Sequence, residues 1–259
     1  MNPTLWSAVR SEWIKFRTVR STIIGVLTLL VLTIGIGVLI SLAIKSHIKH
    51  DGGIARIGFD PTATSLGGVL LAQFAVGTLG IIAMSAEYAT GSIRTTLSAI
   101  PKRLRMLSAK GIVMFTSMLV VSEIAVFVAF EIGQAIYKST GLATNLSAPG
   151  VFRGVAMAGV YLALLALLGV GLGLIMRTTA ASIIVYATML LIVPIIINFL
   201  PTNWQDDITK FLPSELGQAM LAPTSPANHF SWGVSTLILV GYVVAVMVIG
   251  GVLLQRRDA

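Results

Sequence analysis

Few residues in this sequence are equipped for chemistry beyond packing. Two carboxylates, Glu123 and Glu131, stand in the stretch 111–132, which carries no other charge. Glu123 is twelve positions past Gly111. At 1.5 Å per residue that is about 18 Å along a helix, near the middle of a bilayer. A lone carboxylate there is costly and faces protein or water, so Glu123 marks either a pathway or a packing position. Glu131 falls about 12 Å further on, at the outer mouth, where exposure accounts for it. A second group is the run from Glu87 to Lys110, rich in Gly, Ser, Thr, Arg and Lys. Glu87 closes an apolar stretch, a poor place for a carboxylate against a helix dipole unless a base pairs with it. Arg94 is the nearest candidate. Pro101 stops any helix between, and Lys102, Arg103, Arg105 and Lys110 are set to face an anionic leaflet or an acidic partner.

Other chemistries find no support. His47 and His50 are three apart and His229 is remote. With no cysteine in the chain, no metal site or disulfide is expected. The sequence contains no HExxH, no GxSxG and no GxxxxGK[ST]. The last absence removes the usual cradle for nucleotide phosphates, so any ATP driving this protein would bind another subunit. The expectation is a non-catalytic chain with no bound cofactor.

The elements that must position these residues are apolar. Residues AVILMFWYC make up 56% of the 259 positions and charged residues 11%. A soluble domain has about 45–50% apolar and about 25% charged residues. An ordinary soluble fold and a disordered chain are both excluded. The net charge of +8 fits basic residues at one membrane face and does not require nucleic acid. Six stretches have the roughly 20 apolar residues that a span needs: 21–44, 65–86, 111–132, 154–176, 180–200 and 232–254. None shows the strict alternation of a barrel strand. The fold class is therefore an all-α membrane protein of six transmembrane helices in one domain, 1–259. The first span is longer than the roughly 7–15 residues of a signal h-region and reads as a retained anchor. Basic residues divide twelve to six in favour of the side holding both termini, which predicts cytoplasmic ends.

The connecting pieces are short. Residues 4–20 form an amphipathic helix with Leu5, Val9, Trp13 and Phe16 near one face, and Arg10, Arg17 and Glu12 on others. Such a helix lies in the inner interface, and can also touch a cytoplasmic partner. The longest outer loop, 201–231, predicts two short helices. Asn203 would cap the first, with Asp206 and Asp207 in its opening turn, and Ser214 would cap the second. Gly169 and Gly173 form a GxxxG with Gly171 between them, first of all a packing signal. Pro194 predicts a kink in the fifth span.

One motif is more specific. Glu87, Gly91, Ser92, Arg94, Leu97, Pro101 and Arg103 follow the order Glu, spacer, Gly-Thr or Gly-Ser, basic, Leu, Pro, Arg. This resembles the signature of the membrane subunits of bacterial ATP-binding-cassette exporters of the type 2 permease family, whose fold is called type V. Lys110 stands where that family commonly has the lysine opening the next span, and Ser92 stands where Thr is commoner. The layout of a cytoplasmic amphipathic helix, six spans and a long last outer loop is similar too. The resemblance implies a multi-pass subunit of the bacterial cytoplasmic membrane, paired with an identical or homologous permease chain. Two separate ATPase subunits would carry ATP and Mg and dock on a coupling helix in the loop 87–110. It also implies a path between protomers, lined by spans two and five, where Gln73, Thr78, Thr188 and Asn198 are the polar candidates beside Glu123. Their apolar surroundings would suit a lipophilic or amphipathic cargo such as a drug, an antibiotic peptide or a lipid. The competing expectation is an ion-coupled secondary transporter that uses Glu123, although the two halves show no clear repeat.

Overall fold

The computed structural model describes residues 4–50, 59–93, 103–224 and 228–256. Among these every regular element is helical, with no strand. Helix α1 runs Leu5–Thr18, and its start is fixed by Thr4, whose side chain accepts the Ser7 amide at 3.3 Å. Val19 then has extended backbone, and α2 (Arg20–Leu30) starts the first span. A π-helical turn, Val31–Ile36, joins α2 to α3 (Gly37–His50). Next come α4 (Pro61–Ser65), capped by the Asp60 carboxylate, and α5 (Val69–Ala89). The long α6 (Arg103–Lys138) and α7 (Val151–Met176) follow. The fifth span is α8 (Thr179–Ala187), a π turn Thr188–Ile192 and α9 (Val193–Ile197). Then come α10 (Thr202–Thr209), α11 (Pro213–Leu221) and α12 (Trp232–Arg256).

Six of these helical segments are long and apolar enough to cross a membrane: Arg20–Ile48, Val69–Ala89, Arg103–Lys138, Val151–Met176, Thr179–Ile197 and Trp232–Arg256. The chain is a multi-pass membrane protein in fold. The second span starts later than the sequence predicts, because Asp60 and Pro61 open a separate short helix and Leu66 to Gly68 turn the chain before Val69. The third extends well beyond 111–132 at both ends, since nothing between Arg103 and Lys138 breaks the ladder.

Helix α7 is the axis of the bundle. It is apolar on all sides, and packs against α5, α6, α11 and α12. Its crossing with α5 is set by glycine. A Cβ on Gly80 would stand 2.1 Å from the Ala166 carbonyl oxygen, and one on Gly169 would stand 2.2 Å from that of Gly77. The glycines thus act as the packing residues their spacing predicts, allowing two backbones to touch. At Pro194, where the sequence predicts a kink, the ring nitrogen cannot donate to the ladder and a π turn stands just before it.

Two caps differ from expectation. Asn203 lies inside α10, whose N-cap is Pro201 with no side-chain bond, and Asp206 and Asp207 fall past the first turn. Ser214 lies inside α11, which Pro213 opens at its first position. Proline's preset φ decides both starts ahead of the polar caps.

Candidate functional site

The most concentrated chemistry lies where α5 ends and α6 begins, against α1. Glu87 occupies the last turn of α5. The helix stops two residues on, where Thr90 returns its hydroxyl and amide to the Ala86 carbonyl and Gly91 takes φ +67. Glycine is the residue that this left-handed closure favours. The Thr90 and Ser92 hydroxyls bond at 2.9 Å. Lys110 sits two turns into α6, on the face turned to α1 and α5.

Four side chains close a circuit here. The Lys110 ammonium donates to Glu12 Oε2 at 2.6 Å, to Glu87 Oε1 at 2.9 Å and to the Ala83 carbonyl at 3.2 Å. The Lys15 ammonium donates to Glu12 Oε1 at 2.7 Å and to Glu87 Oε1 at 2.9 Å. Glu12 is 4% exposed and Lys110 5%. Two acids and two bases cancel, which is how charge can be held away from water. Burial alone would lower the Lys15 pKa. The bond and charge of Glu12, with the charge of Glu87, outweigh it and hold it above the ordinary 10.5. Glu87 Oε2 is buried with no hydrogen-bond partner among the described residues. The quartet edges a cavity of about 340 Å³ between α1, α2, α5 and α6, with Phe16, Val19, Ile82, Val113 and Met114 among its walls.

The circuit corrects one expectation and adds to two others. Glu87 has two lysine partners, while Arg94, the sequence candidate, lies outside the described residues. Lys110 is buried and paired, so it does not face a leaflet or an acidic partner. The inward face of α1 is Ala8 and Glu12, flanked by Val9 and Phe16, while Leu5 and Trp13 are 44% and 43% exposed. Ion pairing, which the apolar pattern of α1 does not register, sets its rotation. Glu12 and Lys15 were missed as site residues. Their i, i+3 spacing was a signal, but their partners lie 98 and 72 positions away.

The other predicted residues are spread out. Arg103 donates to the Leu254 and Gln255 carbonyls, closing the end of α12 where a cation suits the dipole. Arg94, Leu97 and Pro101 lie outside the described residues. Gln73 is buried. Its side-chain oxygen accepts the Tyr161 hydroxyl at 2.6 Å, and its carbonyl accepts that of Tyr186 at 2.7 Å, tying α5 to α7 and α8. Thr78 and Thr188 are half-buried and Asn198 is exposed. Glu123 is half-buried with its carboxyl against α7 at Gly159, where a Cβ would stand 2.5 Å from the carboxyl carbon. Glu131 is exposed. Among the described residues no group of three His, Cys, Asp or Glu could hold a metal ion.

A bundle of six membrane-length helices clasped at one end by a buried ion quartet is the class of protein these features define. Residues 58–259 match the family model described as "Protein of unknown function (DUF2705)". The match covers most of the chain, and the chain belongs to that family. No curated protein matches the sequence.

Proposed function

We propose that this chain is the membrane subunit of an ATP-driven exporter of the ATP-binding-cassette type 2 permease kind, with both termini cytoplasmic. The observation that carries the reading is the quartet. It joins α1 to the last turn of α5 and the second turn of α6, the two helices that flank the loop carrying the signature residues. A force applied to that loop would reach α1, the second span and the third span together.

The mechanism joins that linkage to what the resemblance implies. Two such chains, identical or homologous, form the membrane part, and two separate ATPase subunits holding ATP and Mg dock on the loop 87–110. Closure of the ATPases on ATP pushes the loop, and the ion quartet transmits the push as a rigid-body movement. Cargo of lipophilic or amphipathic character passes between the protomers along spans two and five. Thr78 and Thr188 are half-buried on those spans, which leaves them available to line such a path. Hydrolysis belongs to the partner, and this chain contributes no catalytic group.

The test is hydrolysis and transport by the reconstituted complex carrying Arg94→Glu or Glu87→Arg. We expect cargo-stimulated hydrolysis to fall at least tenfold or the ATPase to dissociate. Normal stimulated hydrolysis and transport in both variants would overturn the assignment of the coupling loop.

A further inference from the structure

Helix α10 does not turn its apolar side to the bundle. Trp204, Ile208 and Phe211 recur at i, i+4 and i+7, and they are 64%, 37% and 44% exposed. No residue of α10 is buried. The side that leans on the chain is polar. Gln205 and Thr209 are half-buried, and the Gln205 amide donates to the Asn198 and Leu200 carbonyls at 3.0 and 2.7 Å, which holds the helix against the end of the fifth span. Asn203 and Asp206 are exposed, on the far side of the helix from the apolar residues. The helix thus has one side on protein, one apolar and bare, and one suited to water. A surface helix of a soluble fold would bury the apolar side.

The last span fixes the level at which α10 lies. The Tyr242 hydroxyl donates to the Phe211 carbonyl at 3.0 Å. Tyr242 stands ten positions past Trp232, the first residue of α12, or about 15 Å along the axis. Helical side chains lean toward the N-terminus, so the hydroxyl sits roughly 10 Å from the level of Trp232. The 25 residues of α12 run about 37 Å, against a hydrocarbon core of about 30 Å. Sharing the surplus between the two ends puts the Phe211 carbonyl about 6 Å inside the boundary. Helices that lie in a membrane interface bury their apolar faces about 5–10 Å deep. The surface is also continuous, because Ile195, Ile196 and Phe199 at the end of the fifth span are exposed and apolar.

We infer that α10 is an interfacial helix, with Trp204, Ile208 and Phe211 set into the leaflet at the end of the bundle opposite the quartet. Those three side chains carry no charge, and Lys210 is paired with Asp207 at 3.1 Å, so the seat does not depend on anionic lipid. Because Gln205 ties α10 to the last carbonyls of the fifth span, the leaflet sets the level at which that span ends. The inference rests on the membrane-spanning fold and not on the exporter reading.

The chain has no cysteine, so a single label reports one position. The experiment uses the full-length protein in phosphatidylcholine vesicles, with a nitroxide on Trp204→Cys, Ile208→Cys or Asp206→Cys. It reads collisions of the label with oxygen, which concentrates among acyl chains, and with a water-soluble nickel chelate. We expect the oxygen-to-nickel ratio at positions 204 and 208 to exceed that at 206 at least tenfold, and to hold when phosphatidylglycerol is added. Melting temperatures in detergent should match the wild type, and if one of the two apolar-side variants misfolds the other decides. Equal ratios at the three positions would overturn the inference, as would a high ratio seen only with phosphatidylglycerol. Few collisions with either reagent at 204 and 208, or spin–spin broadening between labelled copies, would show that protein covers this side and overturn the lipid assignment. No ATPase subunit enters this test, so its failure is separate from failure of the exporter reading.

Discussion

The two ends of the bundle are held by different kinds of bond. At the end where α5 meets α6, four ionised side chains from three helices pair, three of them buried and Lys15 at the edge. At the opposite end the long-range contacts are mostly hydrogen bonds to backbone carbonyls and neutral side chains. Gln134 donates to the Pro61 carbonyl and to Ser65 Oγ, both at 3.0 Å, and accepts the Thr144 amide at 2.8 Å. Arg153 donates to the Ala222 and Pro223 carbonyls at 2.9 and 2.7 Å and lies over the Trp232 ring. Tyr242 donates to the Phe211 carbonyl at 3.0 Å. A bond to a backbone carbonyl fails alone. A quartet fails as a unit, because each member that leaves strands its partners as buried charges. The charged end therefore moves as one piece or not at all, while the far end can yield contact by contact.

The sharpest way to break this comparison is to remove one charge. Lys110→Met leaves Glu12 and Glu87 with only the half-exposed Lys15, and should cost about 3–5 kcal/mol, the usual cost of orphaning a buried ion. Thermal unfolding in detergent would register it. Arg153→Ala at the far end should cost about 1–3 kcal/mol, because two part-buried carbonyls lose their charged donor. Equal losses in the two variants would erase the distinction between the ends.

The crossing of α5 and α7 ranks between them. Gly169→Leu forces apart two backbones in contact at Gly77, and overpacking of this kind costs about 1–3 kcal/mol or more. Its effect should appear in both ends alike, because α7 runs the length of the bundle. A stability unchanged from wild type would show that the helices do not meet at Gly77.

Glu123→Gln should leave stability nearly unchanged, since the amide fits the same notch beside Gly159. Altered transport with intact assembly would make Glu123 part of the path, and unchanged transport would make it a packing residue. The smallest effect is the pH response of Lys15. Its pKa is raised on folding, so its contribution is fully present below the ordinary 10.5 and is lost as pH climbs through the higher folded value. Lys15→Met should flatten the alkaline limb of the stability profile. An unchanged limb would show that Lys15 is not held by Glu12 and Glu87.

The sequence made the spans legible because bilayer thickness leaves a local mark, some 20 apolar residues in a row. Gly169, Gly173 and Pro194 were legible for the same reason, since each acts through its own backbone. The quartet was half legible. Glu87 was conspicuous as a carboxylate at the wrong end of a dipole, and Lys110 opened a span. Glu12 and Lys15 gave only a helical pair, and nothing in the spacing of residues 12, 87 and 110 announces that three helix faces converge. The apolar stripe of α1 showed only part of its packing, since Val9 and Phe16 reach the core while the ion pairs of Glu12 bind the helix to α6. The caps at Asn203 and Ser214 were misplaced because Pro201 and Pro213 start those helices earlier.

The exporter reading depends on a partner for the loop 87–110. The direct measurement is gentle extraction of the protein from its native membrane, with everything that co-purifies identified by mass spectrometry. The account predicts a soluble subunit carrying GxxxxGK[ST], present one per chain. A chain that emerges alone through several mild detergents would contradict it, and would return Glu123 and ion-coupled transport to the front.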